Sequence, residues 1–204
     1  MDIIAKGGYV ILVIFACSFV ACAVIIERWL YYRALERAAR EIMPYVRRLA
    51  ARQGGAAPPA SLAGENLFIA MWQAAGRAKN RRREEITAVV EETVRAAIPQ
   101  LERYLYILVT IATIAPLLGL LGTVFGMIKT FHVASLSGVG NPHMLAEGIS
   151  EALYNTAGGL MVTIPCVVAN NHYRSRVEKL LHLAESYGGE MARLAADRGE
   201  QGAV

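Results

Sequence analysis

Three long uncharged blocks, separated by charged stretches, dominate the pattern of residues along this 204-residue chain. They run over residues 7–26, 104–128 and 148–173, and Glu151 is the one charged residue inside the third. Each block is long enough for the roughly 20 residues that a helix needs to cross the hydrocarbon core of a bilayer. The pattern predicts an all-α integral membrane protein with three transmembrane helices. The first block continues past the small residues around Cys22, so we expect a retained anchor rather than a cleaved signal.

The 21 lysines and arginines are distributed unevenly around these blocks. Fourteen lie between the first and second blocks and five follow the third, whereas one precedes the first block and one lies between the second and third. Cytoplasmic loops of membrane proteins carry the excess of positive residues. We therefore expect a multi-pass protein with a periplasmic N-terminus and a cytoplasmic C-terminus. The predicted extracytoplasmic segments are 1–6 and 129–147, and the predicted cytoplasmic segments are 27–103 and 174–204.

Helical patterns continue into the predicted cytoplasmic segments. Good helix formers follow the first block as far as Arg52, and a Gly/Ala/Pro tract then predicts a linker near 53–64. An apolar stripe that begins after Glu84 leads into the second block with only Pro99 to kink it. A charged amphipathic helix is predicted after Arg174. Long helices should therefore extend from the membrane into the cytoplasm.

The second and third blocks carry small and helix-breaking residues that a purely lipid-facing helix does not need. Helices in lipid associate through close packing rather than through apolar burial, so such residues indicate contact with another helix. A proline removes one backbone hydrogen bond, which is tolerated where a neighbouring helix or water satisfies the freed carbonyl. The candidate pore or helix-packing residues are Pro116, Gly119, Gly126, Gly159, Thr163 and Pro165.

Polar side chains in the third block raise the question of ion passage. Thr156 and Thr163 lie seven residues apart and share one helix face, but their hydroxyls could equally hydrogen-bond their own helix or a neighbour. Glu151 is the only carboxylate within any block, and an ionisable group inside a span is a functional candidate by default. It faces either a proton pathway or a neighbouring subunit. The three cysteines have neither the number nor the spacing of a metal site, and we expect no metal and no cofactor.

Two motifs occur in order in these blocks. Residues 115–128 read APLLGLLGTVFGMI, and residues 148–160 read GISEALYNTAGGL, followed by Ile164-Pro165. This arrangement resembles the MotA/TolQ/ExbB proton-channel family. Three spans favour the ExbB/TolQ-like members over MotA, which needs four, and the divergent segment between the first two spans leaves the choice between ExbB and TolQ open.

The resemblance implies an inner-membrane homopentamer around an ExbD- or TolR-like single-span partner whose membrane aspartate takes up protons. It also implies indirect work on a TonB- or TolA-like protein, so that proton motive force energises outer-membrane transport or envelope maintenance. By motif match Thr123 and Thr156 would face the pore, and Glu151 would be the family's span-three glutamate. The only aspartates, Asp2 and Asp197, lie outside the blocks, which agrees with a proton carrier supplied by another protein.

Two other classes of function compete with this one. A membrane enzyme needs a nucleophile and a base within the bilayer, and no block offers a Ser/His or paired-carboxylate set, so we do not expect an enzyme. A passive oligomeric scaffold without ion conduction remains the alternative. The basic run 79–83 is either a solvated turn or a site of attraction to membrane lipid, and no nucleic-acid partner is expected.

Overall fold

A computed structural model describes four stretches of the chain, residues 8–51, 66–78, 82–137 and 142–201, and every regular element in them is an α-helix. The all-α prediction is confirmed. The predicted N-terminal segment 1–6 and the predicted linker near 53–64 lie outside the described residues. The helices are α1 (Gly8–Ala51), α2 (Leu67–Arg77), α3 (Arg83–Leu101), α4 (Leu105–Ser137) and α5 (Pro142–Gln201).

Three helical stretches in the described residues are long and apolar enough to cross a membrane. They are Gly8–Arg48, Arg83–His132 and Leu145–Asp197. The prediction of three transmembrane helices is therefore confirmed. A helix suits this environment because it satisfies its own backbone hydrogen bonds where no water is present. Both neighbouring helices extend into the segment 129–147: α4 ends at Ser137, and α5 begins at Pro142.

The chain divides into two compact units, and the first takes the described parts of residues 1–27 and 104–173. In this unit α4 and α5 run antiparallel, since Ala115 lies opposite Gly159 and Gly126 lies opposite Gly148. Helix α1 packs on another face of α5, where Gly158 leaves room for Ile11 and Ile14. The Tyr173 hydroxyl donates a 2.7 Å hydrogen bond to the Ile25 carbonyl of α1. Large apolar side chains cover the outside of the unit, which suits lipid or another protein.

The second unit takes the described parts of residues 28–103 and 174–204. Asn66 caps the N-terminus of α2 by accepting a 3.1 Å hydrogen bond from the Phe68 backbone N–H. The ring of Phe68 is fully buried and meets the ring of Tyr187 edge to face at 6.0 Å. The core is apolar and is drawn from four helices; its buried members include Ile42, Val46, Met71, Ile86, Val90 and Met191.

Helix α3 ends before the second apolar block begins, which corrects the expectation of an uninterrupted stripe kinked at Pro99. Pro99 lies inside α3, and the helix ends at Leu101. Tyr104 then adopts a φ of 67°, in the left-handed region that a right-handed helix cannot accommodate. The last carbonyls of α3 find partners elsewhere in the second unit. Arg28 Nη1 donates to the Gln100 carbonyl at 3.3 Å, and the Tyr32 hydroxyl donates to the Leu101 carbonyl at 2.7 Å.

Candidate functional site

The backbones of α4 and α5 touch in the middle of the first unit. An added Cβ at Gly159 would lie 2.5 Å from the Ala115 carbonyl oxygen, and one at Gly119 would lie 2.9 Å from the Asn155 carbonyl oxygen. These atoms belong to the backbone, so no side-chain rotation could make room. Gly119 and Gly159 therefore lie in a contact between two helices of the same chain, where only a hydrogen side chain fits.

The contact continues toward one end of the two helices. An added Cβ at Gly126 would lie 2.9 Å from the Gly148 carbonyl oxygen, and one at Gly148 would overlap the Thr130 hydroxyl. That hydroxyl is buried and donates a 2.8 Å hydrogen bond to the Gly126 carbonyl of its own helix. Gly126 thus also lies in the α4–α5 contact, and the hydroxyl beside it has a backbone acceptor.

Asn155 is the most buried polar side chain of this contact, with 1 % of its surface exposed. Its Nδ2 donates a 3.1 Å hydrogen bond to the Glu151 carbonyl, whereas its Oδ1 finds no partner among the described residues. Gly122 faces it, and a Cβ there would overlap the asparagine side chain. A buried amide oxygen without a hydrogen-bond donor lowers the stability of the folded protein. Asn155 thus places an unsatisfied polar atom in an otherwise close-packed helix contact.

Two of the predicted site threonines hydrogen-bond the backbone of their own helix. The Thr123 hydroxyl donates to the Leu120 carbonyl at 2.6 Å, and the Thr163 hydroxyl donates to the Gly159 carbonyl at 2.8 Å. For Thr163 this bond matches the alternative stated for Thr156 and Thr163, in which the hydroxyl bonds its own helix. A hydroxyl that donates a hydrogen bond still carries lone pairs on its oxygen. Each oxygen can therefore accept a hydrogen bond from a bound molecule or a partner side chain.

Thr156 differs because its hydroxyl donates to a carbonyl of the neighbouring helix. Its Oγ1 is 3.5 Å from the Gly119 carbonyl oxygen of α4, at the outer limit of a hydrogen bond, and its side chain is half-buried. Thr156 follows Asn155, and Thr123 follows Gly122, which faces Asn155. The two threonines therefore lie at the same level along the α4–α5 pair.

Glu151 of α5 lies where α5 meets α4 and the start of α1 in the first unit. Its Oε2 accepts a 2.9 Å hydrogen bond from Lys129 Nζ of α4, and its side chain is 15 % exposed against 63 % for the lysine. Its other oxygen occupies the place where a side chain on Gly8, the first residue of α1, would stand: a Cβ there would lie 2.5 Å from Oε1. The sequence does not indicate this contact, because the uncharged block ends at Ile128 and Lys129 falls in the segment predicted as a loop.

The two prolines of the predicted site lie inside their helices and end neither. Pro116 is half-buried within α4, and Pro165 is exposed within α5. Each lacks the N–H that would bond the carbonyl four residues earlier. In the described part of the chain no cluster of three or more His, Cys, Asp or Glu residues could hold a metal ion.

Comparison with known proteins gives one matching family profile. The profile, described as the MotA/TolQ/ExbB proton channel family, matches residues 61–186. The chain is 29 % identical to the ExbB-like 3 biopolymer transport protein of Synechocystis sp., over 91 % of this chain and 90 % of the relative. It is 33 % identical to the Tol-Pal system protein TolQ of Haemophilus influenzae, over 57 % and 54 % of the two chains. It is 40 % identical to the biopolymer transport protein ExbB of Aquifex aeolicus, over 44 % and 61 %.

Proposed function

The chain belongs to the MotA/TolQ/ExbB proton channel family, and we propose that it is an ExbB/TolQ-like stator subunit of a motor driven by proton motive force. It is a membrane protein with three spanning helices. The observation that carries the proposal is the pair of hydroxyls, Thr123 and Thr156, at one level of a close helix contact in spans that contain no aspartate. A subunit built this way can line a proton path but needs another protein to carry the proton.

The partner proposed for this role is an ExbD- or TolR-like single-span protein with a membrane aspartate, enclosed by a homopentamer of this chain. The relatives named ExbB and TolQ support that choice. So does the large apolar surface of the first unit, which other subunits and lipid would cover. The complex would lie in the inner membrane with the N-terminus periplasmic and the C-terminus cytoplasmic, as the distribution of positive residues favours. Its work would reach a TonB- or TolA-like protein and energise outer-membrane transport or envelope maintenance.

The hydrogen bonds of Thr123 and Thr156 indicate which form of the partner's acid each can bind. Because the Thr123 hydroxyl donates its hydrogen bond to the Leu120 carbonyl at 2.6 Å, its oxygen acts as an acceptor toward a group of the partner. A protonated carboxyl group or a water molecule can donate to it, whereas an ionised carboxylate cannot. Thr123 would therefore accept a hydrogen bond from the partner's acid in its neutral form, whereas the Thr156 hydroxyl, whose acceptor lies 3.5 Å away, can donate to the ionised form. Each elementary charge that crosses the membrane supplies about 2.3 kcal/mol per 100 mV for this cycle.

A passive oligomeric scaffold is the second candidate, and one observation favours it. The glycine contact between α4 and α5 is closed within one chain, and the hydroxyls of Thr123 and Thr163 already have backbone acceptors. On this view the small residues serve only packing. Members of the family are not known as enzymes, and we propose no catalytic residue here.

Replacing Thr156 with Val separates channel from scaffold, because valine keeps the shape of threonine and removes its hydroxyl. Thr113→Val is the matched control, since Thr113 is exposed on α4 and its hydroxyl donates to the Val109 carbonyl at 2.9 Å. Each variant would be expressed from a plasmid in cells whose chromosomal copy of the gene is deleted. We expect Thr156→Val to assemble like the wild type, as judged by native mass spectrometry. Its energy-dependent outer-membrane function should be lost, and Thr113→Val should retain that function. Wild-type function in an assembled Thr156→Val protein would favour the scaffold.

A further inference from the structure

The Glu151 carboxylate is held at a fixed place in the first unit. Lys129 Nζ of α4 donates to its Oε2 at 2.9 Å, and Gly8 of α1 leaves the space that its Oε1 fills. The backbone of the same residue is held as well, because Asn155 Nδ2 donates to the Glu151 carbonyl at 3.1 Å. A glutamate tied at its carboxylate and at its backbone, next to three helices, has the surroundings of a structural anchor.

The charges around this carboxylate point the same way. The hydrogen bond between the Lys129 ammonium and the Glu151 carboxylate is charge-assisted, and bonds of this kind are stronger than bonds between neutral groups. Ionisable groups within a membrane protein commonly pair with one another. Glu147, one turn earlier in α5, is exposed and attracts Lys129 more weakly. Lys129 itself is 63 % exposed, so the lysine reaches from the surface to a glutamate side chain that is mostly buried.

We propose that Lys129 is a positioning residue for proton passage: its ion pair with Glu151 fixes the register of α4 against α5, and Glu151 serves as an anchored charge rather than as a proton carrier. The register matters because Glu151 lies four residues before Asn155, and Asn155 faces Gly122 at the level of Thr123 and Thr156. A slip of α4 relative to α5 would separate Thr123 from Thr156. This inference rests on the proposed function, and it narrows the role of Glu151 within it.

Charge reversal tests this role more sharply than deletion, because a positioning pair needs opposite charges and not a particular order. The complex would be purified through a tag on this chain and placed in vesicles, with proton flux followed by a pH-sensitive dye under an imposed potential. We expect Lys129→Met and Glu151→Gln to lower the flux by about 10- to 100-fold, the range expected for small misplacements. Lys129→Arg should retain it. The double variant Lys129→Glu/Glu151→Lys should recover most of what either single reversal loses.

Two matched controls remove a charge of the same sign elsewhere. Glu178→Gln and Lys179→Met remove an exposed glutamate and an exposed lysine further along α5; both should conduct like the wild type. Wild-type flux in Lys129→Met, or no recovery in a correctly assembled double reversal, would overturn the inference. Thr156→Val keeps the two proposals distinguishable. If that variant is inactive while Lys129→Met conducts normally, only the positioning role fails, whereas normal flux in Thr156→Val defeats the proposed function itself.

Discussion

Replacing Gly159 with Ala tests the α4–α5 contact on which the site is built. The new Cβ would lie 2.5 Å from the Ala115 carbonyl oxygen, 3.2 Å from the carbonyl carbon and 3.3 Å from the Gly119 Cα. Since an ordinary C···O contact is about 3.3–3.6 Å, the helices must separate by roughly 1 Å at this point. All three neighbours are backbone atoms, so the strain cannot be relieved by a side chain. Overpacking of this kind typically costs about 1–3 kcal/mol.

Gly189→Ala is the matched control for that variant, because Gly189 lies in the same helix and nothing stands within 4 Å of an added Cβ. Alanine is a better helix former than glycine by about 1 kcal/mol, so the control should be neutral or stabilised. Both variants would be unfolded in detergent micelles by increasing SDS and followed by circular dichroism. We expect Gly159→Ala to be less stable than Gly189→Ala by about 1–3 kcal/mol. Equal stability of the two variants would refute the close contact and the threonine placement that depends on it.

Three further predictions concern other parts of the chain. Tyr32→Phe leaves the Leu101 carbonyl without its 2.7 Å donor and should destabilise the protein by about 1–3 kcal/mol in urea unfolding; an unchanged midpoint would contradict the cap on α3. The hydrogen bond from Arg47 lowers the pKa of Glu190. Their ion pair is exposed, so its contribution to stability should be small. That contribution should be fully present above the ordinary glutamate pKa of about 4.3 and should be lost as the pH falls through the lowered pKa. The stability difference between wild type and Glu190→Gln should therefore be present at neutral pH and disappear in acid, and a difference that grows in acid would be the wrong sign. A cysteine at the exposed His143 should react with a membrane-impermeant reagent from the periplasmic side, and labelling from the cytoplasm would reverse the proposed orientation.

The spanning helices and the kind of residue in the site could be predicted because both depend on local composition. A block of twenty uncharged residues has few alternatives to a membrane helix. Glycine at positions such as Gly119, Gly126 and Gly159 indicates a close helix contact whatever the partner. The sequence did not reveal that α4 and α5 of one chain supply that contact, because the register between two helices depends on all their side chains together.

The break after α3 could not be predicted because its cause lies far away in the chain. No glycine marks it, and the carbonyls of Gln100 and Leu101 are satisfied by Arg28 and Tyr32 of α1. The ion pair of Lys129 was missed for a related reason. Hydropathy ends the second block at Ile128, whereas the helix continues to Ser137 and carries the lysine to a carboxylate 22 residues later. Partners distant in sequence decide both features, and periodicity is silent about them.

Proton flux through the purified complex tests the central claim most directly. Vesicles that contain wild-type protein and its co-purified partner would be compared with vesicles that contain the double variant Thr123→Val/Thr156→Val, with Thr110→Val/Thr113→Val as the control on two exposed hydroxyls of α4. Loss of one hydrogen bond to a group that changes charge costs about 1.5–3 kcal/mol, so each lost bond corresponds to about 10- to 150-fold in rate. We predict at least that loss in the first double variant and wild-type flux in the second. Equal flux in the wild type and the Thr123/Thr156 variant would contradict a threonine-lined proton path.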